Sequence, residues 1–379
     1  MGRVLLLGVL LSLISPLVIM GQTRAIDPFV MPSARFNALG GPHPAMADDF
    51  YSLFLNPAGF ISVEESFSVA ELSLSTFGPV LEIADLLGNA DTLEGLDLSG
   101  VIGPSGFAAG FDMGGPLSLG YVGRGLGLGI FNRLRTSASL SGVSLRPLVQ
   151  GEIFFTAGYA FRIIERDDHL FDAGFLGKGF YRGTSFLDAP IFDAATLLDD
   201  PRSQPFVSHL GVGLDLGIKY TLGRNFSAAL VCYDFFSPVL ISPYDSYDSY
   251  SQGELPSGEG SSYGAIKRRL DLGVAYKVHI AFLDPYITRL VLMASYGDIL
   301  DLQSLIPRNP LLNLGLGAEL TLLQVLSFRT GIRDALPAFG LGIDLSFMTV
   351  DLAIHGKELG LDPGVQSVYG LSLGLLFRY

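Results

Sequence analysis

The sequence predicts an all-β fold, a transmembrane antiparallel β-barrel of about fourteen strands. The first observation lies at the C-terminus, where Tyr369, Leu371, Leu373, Leu375, Phe377 and Tyr379 recur at every second position against Gly370, Ser372, Gly374 and Arg378. Side chains of a strand alternate between its two faces, so this stretch has one oily face and one small or polar face. On a soluble edge strand such a face invites aggregation, whereas a membrane barrel turns it to lipid. The second observation is how the apolar residues are spread. The 379 residues are 49% hydrophobic and 16% charged, with a mean hydropathy of +0.44. Beyond the N-terminus, however, no stretch approaches the ~20 consecutive apolar residues that a helical span needs. The third is that the two-residue period returns along most of the chain.

The chain opens with Arg3 and an apolar stretch from Val4 to Met20, broken by Ser12, Ser15 and Pro16, the pattern of a secretory signal. Small residues at Gly21 and Ala25 suit cleavage, so residues 1–25 are expected to be the signal. The only cysteine, Cys232, lies far downstream, which excludes an N-terminal lipid anchor and an internal disulfide. From Ser33 to Phe60 the segment SARFNALGGPHPAMADDFYSLFLNPAGF has no strand period and is dense in Gly, Pro and small residues.

Strong strands are predicted at Glu152 to Ile164, His209 to Tyr220, Leu270 to Val278, Leu312 to Leu322, Phe339 to Leu345, Val350 to Ile354 and the terminal stretch. In the first of these, Phe154 and Ile164 break the polarity of the non-oily face. Weaker candidates lie at Phe67 to Phe77, Phe107 to Met113, Leu117 to Tyr121, Leu126 to Ser139, Phe171 to Tyr181, Phe226 to Phe236, Tyr286 to Tyr296 and Leu326 to Ile332. That makes fifteen, and since single-chain bacterial barrels ordinarily have an even number, one weak candidate is in excess. Glycine falls mostly on the non-oily phase, where it leaves room inside a barrel for bulky neighbours, a plug or a ligand. Tryptophan is absent, and Tyr159, Tyr220, Tyr276, Tyr296 and Tyr379, with the many Phe residues, are expected to supply the interfacial aromatic girdle.

The formal net charge of −13 argues against nucleic acid, which demands clustered Lys and Arg. Much of the acid falls in expected loops, notably after Ser242. The glycines of GRGLGLG near Gly123 alternate with leucines along a strand and do not form a dinucleotide loop. His43, His169, His209, His279 and His355 are scattered, without metal-ligand spacing. No catalytic group, metal or cofactor is therefore expected. Lys219, Arg269, Lys277, Arg329 and Arg333 fall on non-oily strand faces, where they offer a carboxylate a charge-assisted partner or pair with Asp215, Asp271, Glu319, Asp344 and the acids of the N-terminal segment.

Two features carry a family resemblance. The closing Phe377 and Tyr379 resemble the C-terminal signal read by the outer-membrane barrel assembly machinery. More specifically, Gly40 and Gly41, then Ala47, Asp48 and Asp49, then Asn56, Pro57, Ala58 and Gly59 resemble the N-terminal region of the FadL-type long-chain fatty-acid transporters and the related PorV/PorQ barrels. The chain departs from that pattern at His43 and Pro44, where many members have small or apolar residues. The resemblance implies a hatch inside the lumen over residues 26–64, followed by a barrel over 65–379 in the bacterial outer membrane. It also implies passive transport of hydrophobic molecules such as long-chain fatty acids, with outer-membrane lipid as the surroundings. The alternatives are a PorV-like barrel that binds or shuttles secreted proteins, and a general diffusion pore.

Overall fold

Strands form where apolar and small residues alternate. The computed structural model describes residues 24–80, 106–141, 144–187, 189–190, 200–258, 260–279 and 287–378. Residues 1–23 of the expected signal and the terminal Tyr379 lie outside them. Fourteen strands make the wall: β1 (Ser66–Phe77), β2 (Phe107–Gly123), β3 (Leu126–Ser141), β4 (Ser144–Arg166), β5 (His169–Phe186), β6 (Phe206–Leu222), β7 (Phe226–Phe236), β8 (Arg269–Lys277), β9 (Ile287–Tyr296), β10 (Leu314–Leu322), β11 (Leu326–Arg333), β12 (Leu336–Asp344), β13 (Met348–Glu358) and β14 (Ser367–Arg378). Each is antiparallel to the next, and β14 returns to pair with β1, Leu373 opposite Leu74, so the sheet has no free edge.

The excess candidate of the sequence reading is resolved here. Phe107 to Met113 and Leu117 to Tyr121 belong to one strand, β2, interrupted by Gly114, Gly115 and Pro116. A second correction concerns Leu312, read from the sequence as the start of a strand. It is fully buried in a short 3-10 turn, Pro310–Asn313, ahead of β10. The loop after Ser242 is also more ordered than its composition suggests. Pro238–Tyr244 prolongs the hairpin beyond β7, Ser262–Ile266 leads into β8, and a short helix, Tyr247–Ser251, lies between them.

The alternation sorts the faces. In β4, Phe155, Tyr159, Phe161 and Ile163 are exposed while Phe154, Thr156 and Ala160 are buried. In β14, Tyr369 and Leu371 are exposed and Ser372 is buried. Exposed apolar side chains belt the whole wall, a surface that water would penalise and hydrocarbon accepts. Among the described residues no helix is long and apolar enough to cross a membrane, so crossing is left to strands. Closed, antiparallel and apolar outside, this is a bacterial outer-membrane barrel.

One end of the barrel carries tight turns, such as Arg124 and Gly125 or Leu323 and Gln324, whose positive φ values suit two-residue hairpins. The opposite end carries long connections, among them 245–258, 297–313 and 359–366. Short turns face the periplasm in such barrels, so the long connections face outward.

Candidate functional site

Residues 27–65 do not join the wall; they wind through the lumen as a plug. Its shape is set by local chemistry. Ser33 caps helix α1 (Ala34–Ala38), its hydroxyl accepting from the Phe36 amide at 3.4 Å. Gly40 and Gly41 then turn the chain with φ of +74° and +107°. Helix α2 (Ser52–Leu55) ends at the extended Asn56, whose side chain accepts from the Ala58 amide at 2.9 Å. Pro57 begins the 3-10 turn Pro57–Ile61, where its missing N–H costs nothing.

The plug rests where the wall has glycine. A Cβ at Gly331 would lie 2.2 Å from the Leu39 carbonyl carbon, one at Gly174 would lie 2.5 Å from Pro57, and one at Gly217 would meet the Asn56 side chain. Similar close approaches occur at Gly120 against Phe50, Gly127 against Phe60 and Gly273 against Pro44. These positions lie on β2, β3, β5, β6, β8 and β11, so the plug is supported around the lumen.

Two kinds of contact hold it. On one side, plug residues Phe50, Tyr51, Leu53, Leu55 and Phe60 pack with wall residues Phe131, Phe154, Leu176 and Phe180 into one buried cluster. Phe154, the apolar exception on its strand's inner face, stacks against Phe131 at 5.1 Å between ring centroids and also meets Phe29. On the other side is an ionic latch. Arg35 places two nitrogens on Glu319, both at 3.0 Å, and a third on Asp49. Glu319 also receives Arg329 at 2.7 Å, and Arg329 reaches on to Asp351. Asp48 pairs with Arg289 and Lys277, each at 3.2 Å. Burial pushes the Asp48 carboxyl up, but Arg289 and Lys277 outweigh it and hold the pKa at about 2. Burial lowers the pKa of His43 to about 4, although the ring donates to the Leu39 carbonyl at 2.8 Å.

The plug divides the interior. Below it, toward the tight turns, lies a polar cavity of about 750 Å³ lined by the latch residues. Above it lies a cavity of about 300 Å³, lined by Pro28, Val30, Met31 and Pro32 of the plug together with wall residues that include Arg133, Arg135, Arg269, Arg333 and Lys357. At the outer rim, on the face that carries Val149 and Ile153, runs a trench of about 720 Å³ between β4, β5 and the outer loops. Gly151 and Gly183, paired across the strands, line it along with Tyr181, Phe206, Tyr247 and Tyr250. The wall also has an irregular stretch. The β2 register breaks against β1 between Ser68 and Ser73 and against β3 between Gly114 and Ser118, around Pro116, which has no N–H to give the ladder.

The sequence-predicted residues separate by this geometry. Gly40, Gly41, Asp48, Asp49, Asn56, Pro57, Ala58 and Gly59 all lie in the plug; a Cβ at Gly59 would strike the Ala47 carbonyl. Of the five wall cations, Lys219 donates to the Ala47 carbonyl at 2.6 Å. Lys277 and Arg329 belong to the latch. Arg269 pairs with Asp271 at 3.1 Å and stands over the Tyr233 ring, while Arg333 lines the upper cavity. Phe377 ends the oily face of β14 and is exposed on the wall. The sequence reading missed Arg35, Arg289 and the upper-cavity residues Arg133, Arg135 and Lys357. Arg133 and Arg135 are two apart on β3, so a count of cations on one strand phase finds them.

No protein-family model and no curated protein matches the chain. Among solved structures it is similar to a Pseudomonas aeruginosa FadL homologue, at 12% identity and a TM-score of 0.47, over 94% of this chain and 99% of that one. It is similar to the P. putida toluene transporter TodX at 12% identity and TM-score 0.48, over 92% and 98%. The Ralstonia pickettii toluene transporter TbuX gives 12% identity and TM-score 0.45, over 95% and 99%.

Proposed function

We propose that this barrel is a passive outer-membrane transporter of hydrophobic molecules, long-chain fatty acids among them, with the plug as its gate. The observation that carries the reading is the outer-rim trench. Its volume of about 720 Å³ and its lining of Tyr181, Phe206, Tyr247, Tyr250, Val149 and Ile153 suit an acyl chain or an aromatic molecule held at the outer face of the wall, the face that also carries the exposed Phe155 and Tyr159. The aromatic cluster between plug and wall supports the same reading, since a lumen built to pass water-soluble solutes gains nothing from buried Phe50, Phe60, Phe131 and Phe154. The broken register around Gly115 and Pro116 offers a way sideways into the membrane. A general diffusion pore keeps open the space that the plug fills here.

Uptake of radiolabelled oleate into cells lacking their own fatty-acid uptake barrel tests the proposal. Cells carrying this chain take up oleate faster than cells with an empty vector, and Gly151→Trp with Gly183→Trp, which fills the trench, removes the gain. Equal uptake with and without the chain overturns it.

The PorV-like alternative draws on the exposed apolar side chains Leu305, Ile306, Leu361 and Val365 of the outer loops. Under that reading, a photo-crosslinker at Leu305 traps a secreted polypeptide in the native host, and oleate uptake is unaffected.

A further inference from the structure

The upper cavity holds more positive charge than its own carboxylates match. Arg133, Arg135, Arg269, Arg333 and Lys357 line it, against Asp112 and Asp334. Arg133 is held by Asp112, its Nε at 2.7 Å, and Arg269 by Asp271 at 3.1 Å. Asp334 is engaged with Arg308 of an outer loop at 2.8 Å. Among the described residues, no carboxylate stands within ion-pair distance of Arg135, Arg333 or Lys357. Lys357 instead lies 4.7 Å over the Phe77 ring.

Three cations without an ion-pair partner, Arg333 and Lys357 attracted only at longer range by Asp334, Asp271 and Asp112, therefore line a space of about 300 Å³ directly above the plug. Like charges so placed repel, and a site that has lost part of its bulk water screens them weakly. A single carboxylate cancels only one of the three. An oxyanion with two charges and several acceptor oxygens cancels more, and guanidinium groups bind such oxygens in pairs. Asn37 and Ser75, on the same lining, are tied to each other and to Ser372 by hydrogen bonds, so the charged groups are left to meet the anion.

We propose that the upper cavity is a binding site for a phosphate dianion, either free or as the monoester headgroup of a lipid. The assignment does not rest on transport, because occupancy is measured without it. Calorimetry on the purified full-length protein in a non-ionic detergent tests it with three probes: inorganic phosphate, dodecyl phosphate and dodecanoate. Dodecyl phosphate binds about tenfold more tightly than dodecanoate. Arg135→Gln combined with Lys357→Gln removes that preference, and Arg135→Lys largely keeps it. If inorganic phosphate displaces dodecyl phosphate, the site takes the free anion; if only the alkyl ester binds, the lipid headgroup is the ligand. The wild-type protein gives a second reading that no folding defect can obscure: affinity for the ester falls as pH drops through its second pKa of about 6. Dodecanoate binding as tightly as dodecyl phosphate, or phosphate affinity unchanged by the double substitution, overturns the proposal.

Discussion

At Gly331 the plug leaves no room for even a methyl group, because the added carbon would sit on the Leu39 backbone. Gly331→Val therefore displaces the plug or strains the wall by about 1–3 kcal/mol. Heat-modifiable gel migration at a lower temperature, with faster trypsin cleavage at Arg35, measures this. His43 is the residue through which acid reaches the plug. Its folded pKa of about 4 lies below the ordinary 6.5, so the folded plug prefers the neutral ring. The stability this represents is complete above pH 6.5 and is lost as pH falls from there through about 4, roughly 3 kcal/mol in all. Asp48, at about 2, stays ionised across that window, so its pairs with Arg289 and Lys277 survive while His43 is charging. Hydrogen exchange of the Leu39 to Met46 amides is expected to quicken from pH 7 to pH 4.5, and His43→Gln to flatten that response. Much of this was beyond the sequence. Phe154 was visible as an exception to the polar face of β4, but its plug partners Phe29 and Phe54 lie 125 and 100 residues away in the chain.

At the scale of elements, the latch joins α1 to β10, β11 and β13 through Arg35, Glu319, Arg329 and Asp351. Arg35→Met leaves Glu319 and Asp49 short of a partner, and breaking a buried pair from one side costs about 3–5 kcal/mol. Planar-bilayer recordings are expected to show conductance bursts in this variant that the wild type lacks; identical traces would mean that the aromatic side alone retains the plug. The strands themselves were legible because alternation against lipid is strict: a wall residue turned the wrong way exposes either charge to hydrocarbon or oil to the lumen. Legibility failed where two halves of β2 are joined across Gly114, Gly115 and Pro116, since proline and paired glycine ordinarily signal a turn. It failed also at the cations. Period two places Lys219, Lys277 and Arg329 on the inner face, but which acid or carbonyl each one meets depends on the path of the plug.

For the whole molecule, the asymmetry of the two ends fixes an orientation. Leu255 stands almost fully exposed in a long connection, and Gln324 lies in a tight turn at the opposite end. In a Cys232→Ser background, Leu255→Cys is expected to react with a membrane-impermeant maleimide on intact cells, and Gln324→Cys only after the outer membrane is broken. The reverse pattern inverts the placement of both cavities. With the long connections outward, the basic upper cavity faces the cell exterior and the ionic latch faces the periplasm.

The seam between β14 and β1 joins the last strand to the first, and the plug precedes both in the chain. A segment packed from within against glycines of β2, β3, β5, β6, β8 and β11 does not thread into a finished cylinder. Biogenesis must therefore keep residues 27–65 gathered inside a curling sheet until its final zipper closes, which makes the order of insertion as much a part of this protein's design as its contacts.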